Sequence, residues 1–241
     1  MGYFIDMHCH CLPGIDDGAA TMEESVRMLQ TAYADGIRKV IATPHFHHRR
    51  GNVPKEVVLR KVAEVKQAIK ESCPELELYP GNELYYSSRL PELLAENQVC
   101  TLADSRYVLV EFSQEKEFSE LRKALLNVQS QGVWPILAHI ERYLCLVKKP
   151  ALAEELAEMG IYFQVNADGV LGNYGRKEKK LIKKMFSYDL ISFVASDAHD
   201  TEHRKQQLSE AAAYVGKKFG EDVVEKCFRL NQQMVIENKI I

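Results

Sequence analysis

Short apolar runs alternate with longer amphipathic segments along almost the whole chain, and this alternation restricts the fold more than any other feature. The runs Tyr3–His8, Lys39–Thr43, Leu76–Pro80, Tyr107–Phe112, Trp134–Ala138, Tyr162–Val165 and Ser192–Ala195 are nearly continuous in apolar residues, as strands buried on both faces must be. Between them helical periodicity covers Met22–Asp35, Lys55–Ser72, Pro91–Asn97, Phe118–Gln131, Ala151–Met159 and Arg176–Tyr188, and further helix is expected from about Arg204 to the C-terminus. Thr21 and Glu24 form a capping box at the first helix, and Asp35-Gly36 supply its stop. Repeated βα units demand parallel strands joined by right-handed crossovers. The fold class is therefore α/β, either a closed barrel or an open doubly wound sheet.

One domain spanning 1–241 is the expectation, because barrels of this class reach 241 residues undivided. With 46% hydrophobic and 27% charged residues, the chain has material for a sizeable core. A net charge of -3, and no dense Lys/Arg stripe in the sequence, argue against nucleic acid as a partner. The opening MGYFIDMHCHC lacks a signal-peptide pattern, and no apolar segment approaches the ~18 residues of a membrane span. No membrane insertion and a cytoplasmic location are expected. The six cysteines lack paired zinc spacing, which favours reduced thiols. Cys100 and Arg106 match the Cys-x5-Arg pattern of thiolate phosphatases, but the segment has no glycine for a phosphate cradle and leads into a strand. Cys100 is expected to be dispensable.

The side chains able to bind metal fall at the C-terminal ends of the apolar runs. His8 and His10 close the first, His45 follows the second, Glu83 follows the third and Glu111 ends the fourth. His139 follows the fifth, and Asp197 with His199 follows the seventh. In a parallel barrel those ends share one face, where active sites are built. His8 and His10 are two residues apart, so on a strand both imidazoles project to one side while Cys9 and Cys11 project to the other. The turn Asp16-Asp17-Gly18 adds Asp17 as an expected ligand and Asp16 as its supporting neighbour. Glu111 interrupts an apolar run and is costly to bury without a partner.

Imidazole and carboxylate ligands without thiolate suit zinc, manganese or iron better than calcium. Five histidines and four carboxylates exceed one tetrahedral site, so two or three ions are expected. A multinuclear site can position and deprotonate a bridging water while neutralising phosphoryl oxygens. Arg142, three residues beyond His139, and Arg204, five beyond His199, would sit over the same mouth, where a guanidinium can grip phosphate oxygens bidentately. The alternative for either is a surface salt bridge, and for Arg204 the two readings stand level. The basic loop His47-His48-Arg49-Arg50 reads as an anion-attracting rim outside the ligand set, and His203 as exposed. Together these features describe a metal-dependent phosphoesterase.

Six motifs in order carry a family resemblance: Ile5-Asp6-Met7-His8-Cys9-His10 with Asp16-Asp17-Gly18, Ala42-Thr43-Pro44-His45, Pro80-Gly81-Asn82-Glu83, Leu109-Val110-Glu111-Phe112, Ala138-His139-Ile140-Glu141-Arg142 and Ala195-Ser196-Asp197-Ala198-His199. They resemble the polymerase-and-histidinol-phosphatase (PHP) superfamily, and more narrowly its bacterial manganese-dependent protein-tyrosine phosphatases of capsule and exopolysaccharide operons. The resemblance implies a distorted (β/α)7 TIM-like barrel holding three divalent ions, Mn2+ foremost with Fe or Zn as alternatives. Carried over position by position, it implies one ion on His8, His10, Glu83 and Asp197, a second on Glu83, Glu111 and His139, and a third on Asp17, His45 and His199. It also implies phosphate binding by Arg142 and Arg204. The implied substrate is the phosphotyrosine-bearing tail of a membrane-associated bacterial tyrosine autokinase. The alternative is a small-molecule phosphatase, such as a histidinol phosphatase, on the same metal site.

Overall fold

The structure, a computed structural model, describes residues 2–47 and 53–241. The expectations for His48, Arg49 and Arg50 lie outside the described residues. Strand segments follow in the order β1 (Phe4–Cys9), β2 (Ile37–Ala42), β3 (His45–Phe46), β4 (Glu77–Pro80), β5 (Glu83–Tyr85), β6 (Tyr107–Glu111), β7 (Trp134–Leu137), β8 (Tyr162–Asn166) and β9 (Phe193–Ala195). Every pairing between them is parallel, in the orders β1-β2-β4 and β3-β5-β6-β7-β8-β9.

The sequence predicts seven strands, and the additional segments arise because two staves are each broken in two. The second stave breaks at Thr43-Pro44, where proline has no N–H to give to a ladder. The third breaks beside it at Gly81-Asn82, where a Cβ on Gly81 would lie 2.9 Å from Ile41 Cγ2. Asn82 stitches the breaks together: its amide N–H donates to the Pro44 carbonyl at 3.0 Å, and its Oδ1 accepts from the Cys100 N–H at 2.9 Å. The circuit closes between the first and last staves, where the Asp197 N–H donates to the His8 carbonyl and the His10 N–H to the Ala198 carbonyl, both at 2.9 Å. The result is a distorted seven-stave α/β barrel.

Register explains how one strand face serves as both core and site. Glu83, Leu109, Ile136 and Tyr162 are successive partners across β5 to β8, and Gln164 and Asn166 pair with Phe193 and Ala195. Side chains in such rows share a face. Toward the strand starts that face is apolar, with Tyr107, Leu109, Ile136 and Phe193 in an inner cluster. Toward the strand ends it turns polar, through Glu83, Glu111, Gln164 and Asn166. The alternate residues Val108, Val110, Leu137, Phe163, Val165 and Val194 pack outward in the larger core cluster, which includes the buried faces of the helices. Burying each such side chain contributes about 1.5–3 kcal/mol.

Several local expectations are refined. Thr21 Oγ1 accepts from the Glu24 N–H at 3.3 Å, but the reciprocal bond to Glu24 Oε2 comes from Ala20. The helix expected from about Arg204 instead begins at Leu208, because the Asp200 carboxylate takes the N–H groups of Glu202, His203 and Arg204. Such side-chain acceptors compete with helical hydrogen bonding. The absence of a dense basic stripe is also corrected. On the helix Arg176–Ser187, Arg176, Lys177, Lys180, Lys183 and Lys184 fall within an arc of about 120°, opposite the buried Leu181, Ile182, Met185 and Phe186. Apolar residues interrupt these cations along the sequence but not on the helix surface. Among the described residues, no helix is long and apolar enough to cross a membrane.

Candidate metal centre

His8, His10, Glu83 and Asp197 form the innermost group, all buried. His8 Nε2 lies 3.2 Å from His10 Nε2, 3.2 Å from Glu83 Oε2 and 3.3 Å from Asp197 Oδ1. His10 Nε2 lies 3.3 Å from the same glutamate oxygen and 3.5 Å from the same aspartate oxygen. These separations match the edge, about 3.4 Å, of a tetrahedron whose metal–ligand bonds are about 2.1 Å. The strand geometry makes this possible: His8 and His10 are two residues apart in the chain, and Asp197 is hydrogen-bonded to His8 through the backbone at the barrel closure.

Two further groups border the first. His10, Asp17, His45 and His199 bring donor atoms within 4.8 Å of one another, as do His45, Glu83 and Glu111. His45 and Glu83 are register partners on β3 and β5, which sets them side by side beyond the stave breaks. The Nδ1 of His45 is 3.0 Å from Glu83 Oε2, and its Nε2 is 3.4 Å from Asp17 Oδ1. His199 Nε2 is 3.4 Å from that aspartate oxygen. His139 Nε2 is 2.8 Å from Glu83 Oε1 and 3.6 Å from Glu111 Oε1. The sequence grouping leaves His10 out of the group around Asp17 and pairs His139, not His45, with the two glutamates. In the structure Glu83, His10 and His45 each belong to two groups. Asp17 is held over His10 by a turn in which a Cβ on Gly18 would overlap the His10 carbonyl.

The histidines have fixed orientations. Asp16 Oδ2 lies 2.7 Å from His10 Nδ1, and Gln164 Oε1 lies 3.2 Å from His8 Nδ1, so both rings turn Nε2 toward the centre. His199 Nδ1 lies 2.9 Å from the Asp197 carbonyl, which leaves its buried Nε2 without a hydrogen-bond partner among the described residues. A buried imidazole lone pair facing a carboxylate fits a cation between them. The mixed imidazole and carboxylate set suits zinc, manganese or iron. His139 and Asp197 adopt positive φ, 32° and 54°, a strained conformation that persists where the surroundings enforce it.

Electrostatics follow from this crowding. Burial opposes the charge on Glu83 and Asp197, but the adjacent His8 and His10 hold both carboxyls well below the usual range. Glu111 is pushed up to about 7, by burial first and then by Glu83. Burial, reinforced by the Arg142 guanidinium, lowers His139 to about 4. His139 is thus held in its neutral form at neutral pH.

Both arginines reach the mouth. Arg142 Nη2 donates to Asp197 Oδ2 at 2.9 Å, and Arg204 Nη2 donates to the same oxygen at 3.0 Å. Arg204 gets there because its carbonyl accepts from the His199 N–H at 2.8 Å, which folds the loop back on itself. Gln164, Asn166 and Tyr174 belong to this web but are absent from the sequence-derived set. Gln164 joins His8 to the His139 N–H, and Asn166 Nδ2 donates to Asp197 Oδ2 at 2.7 Å. Tyr174 Oη accepts from Arg142 and Asn166. The available signal was two amides, two residues apart, at the end of an otherwise apolar strand.

Beside the centre, Ile15, Asp17, His45, His47, Tyr85 and Glu111 line a cleft of about 440 Å³. The rings of His47 and Tyr85 stack there at 4.5 Å. Cys100 lies elsewhere, buried, with its thiol pushed up to about 11 by burial.

Comparison with known proteins agrees with this architecture. The tyrosine-protein phosphatase YwqE of Bacillus subtilis (strain 168) is 33% identical over 240 residues, spanning 98% of this chain and 93% of its own. The tyrosine-protein phosphatase CpsB of Streptococcus pneumoniae is 31% identical over 242 residues, spanning 98% of this chain and all of its own. A chain from the crystal structures of YwqE and CpsB, described as unique metal-dependent tyrosine phosphatases, superposes with a TM-score of 0.92 at 30% identity. That match covers 98% of this chain and 96% of the other. The family described as capsular polysaccharide synthesis, CpsB/CapC, matches residues 4–237, and the chain belongs to it.

Proposed function

We propose that this chain is a metal-dependent tyrosine phosphatase, with three divalent ions, manganese foremost, held by the nine histidines and carboxylates named from the sequence. The observation that carries the reading is the buried quartet of His8, His10, Glu83 and Asp197, whose spacing suits one tetrahedral ion. The full-length similarity to proteins named as tyrosine phosphatases supports the reaction. The substrate we assign is the phosphotyrosine-bearing tail of a membrane-associated bacterial tyrosine autokinase, met in the cytoplasm. Membership of a capsular polysaccharide family supports that assignment.

Divalent ions, when bound, acidify water for attack and neutralise phosphoryl oxygens. The protein's own groups supply orientation and charge. Arg142 and Arg204 share one oxygen of Asp197 and keep further N–H groups for phosphate oxygens. Asn166 shares that carboxylate oxygen, and Tyr174 buttresses Arg142, so the guanidinium is oriented before substrate arrives. The cleft beside His45 and Glu111 offers Ile15 and the flat Tyr85–His47 stack to the phenyl ring.

The test is purified protein assayed with phosphotyrosyl peptides, with and without added manganese, together with elemental analysis. Turnover that follows metal content is expected, with about three equivalents bound at saturation. Activity that survives exhaustive chelation, or higher efficiency on histidinol phosphate than on the peptides, would overturn the reading.

A further inference from the structure

The helix Arg176–Ser187 gathers five basic residues on one face, in a chain whose net charge is -3. Arg176, Lys177, Lys180 and Lys183 are exposed, and Lys184 is half-buried beside them. Among the described residues no ion pair or hydrogen bond occupies the side chains of Arg176, Lys177, Lys180 or Lys183. Lys179 is turned away, its Nζ donating to the Leu171 carbonyl at 2.6 Å. Glu178, the helix's one acidic residue, lies about 100° or more outside the basic arc. Unneutralised like charges on one face repel, so the arrangement costs stability unless an anion shares it.

The position of the stripe says what that anion is attached to. Its first cation lies two residues beyond Tyr174, whose hydroxyl accepts from the mouth-lining Arg142. Gly175, with φ 124°, makes the sharp link between the tyrosine and the helix. The stripe therefore starts at the rim of the centre and runs down the flank. From Arg176 to Lys184 it rises about 12 Å. An extended polypeptide covers that in about four residues.

We propose that the Arg176–Lys184 stripe docks acidic or phosphorylated residues flanking the phosphotyrosine in the polypeptide substrate. The inference rests on the tyrosine-phosphatase reading. A polypeptide is favoured over a lipid surface because the stripe is continuous with the mouth and narrow, one helix face wide. Several exposed charge pairs acting together give about tenfold in affinity, weakened by salt.

The experiment compares two phosphotyrosyl peptides of equal length, one with four glutamates beside the phosphotyrosine and one with four glutamines. The wild-type protein is set against the Lys177→Gln, Lys180→Gln, Lys183→Gln triple variant. The expected result is a KM about tenfold lower for the acidic peptide, a preference that falls toward unity in the triple variant and in 0.5 M salt. Fluorescence anisotropy of peptide binding is read alongside turnover, so the docking surface is judged even if no peptide is cleaved. Equal KM and equal binding for both peptides in wild type overturns the docking while leaving the phosphatase reading standing. A preference that survives intact in the triple variant also overturns it. So does loss of binding to phosphatidylglycerol vesicles in the triple variant with the peptide preference unchanged, which would assign the stripe to a membrane.

Discussion

His8, His10, Glu83 and Asp197 are sealed in protein, with side chains at most 2% exposed, whereas across the same centre Asp17 is 65% exposed, His45 33% and Glu111 20%. The two sides also differ in support. The sealed side is tied down by Asp16, Gln164, Asn166, Tyr174 and two arginines. On the open side, Asp17 has only imidazoles among its described ion-pair partners, and it borders the cleft. The difference assigns labour. One side is organised before any substrate arrives, and the other remains reachable by a phosphorylated side chain. Preorganised donors cost no rearrangement at the moment of reaction, while an exposed carboxylate is cheap to leave unpaired.

The comparison is broken most directly on the sealed side. Glu83 lies within reach of His8, His10, His45 and His139. Glu83→Ala should lower kcat/KM by about 10³-fold or more, since several kcal/mol of charge stabilisation are at stake. Elemental analysis should find the protein depleted in metal, while circular dichroism still reports a folded barrel. Metal content equal to wild type would show that the quartet does not depend on its shared carboxylate.

A sharper test sets a supporting residue on the sealed side against a donor on the open side. Gln164→Leu removes the partner of His8 Nδ1 and of the His139 N–H. Losing such an orienting partner costs about 10–100-fold in metal affinity or activity. Asp17→Asn should cost less, about tenfold, and excess manganese should largely restore it, because mass action refills an exposed site. Titration with a chelator reads the same asymmetry: wild-type protein should surrender one ion well before the others. If Asp17→Asn proves the more damaging change, exposure is a poor guide to which side matters.

The sealed side also marks where the sequence is legible and where it is not. The strand ends could be read because the alternation of apolar runs and amphipathic stretches reports the barrel, and a barrel forces His8, Glu83, Glu111 and Asp197 onto one face. Gln164 and Asn166 stayed hidden because neutral amides are not typical metal ligands. Their role depends on register with strands far away in sequence: Gln164 meets His8 across 156 residues. The stave breaks were written in Pro44 and Gly81, but Asn82 bridging them depends on two staves lying side by side. Arg204 looked like the start of a helix because the sequence does not reveal that Asp200 takes the amides of the three residues that follow Thr201.

The smallest expected effect lies at the outer edge of the sealed side, on Tyr174. Its hydroxyl accepts from Arg142 Nη2 at 3.2 Å and Asn166 Nδ2 at 3.1 Å, yet both donors also reach Asp197 Oδ2, at 2.9 and 2.7 Å. Tyr174→Phe therefore removes two hydrogen bonds but leaves neither donor stranded, and the loss is about threefold in kcat/KM. Because Arg142 is a binding group in the proposed reaction, the change should appear in KM more than in kcat. Tyr174→Ala removes the ring as well, over which the Arg142 guanidinium lies 5.2 Å from the centroid. Loss of that cation–π contact should deepen the effect to about tenfold. A Tyr174→Phe protein as impaired as Gln164→Leu would mean that the arginine's orientation, not the buried imidazoles, is the fragile part of the sealed side. The division between an organised half and an open half would then run between Arg142 and His8, inside what the distances present as one continuous web.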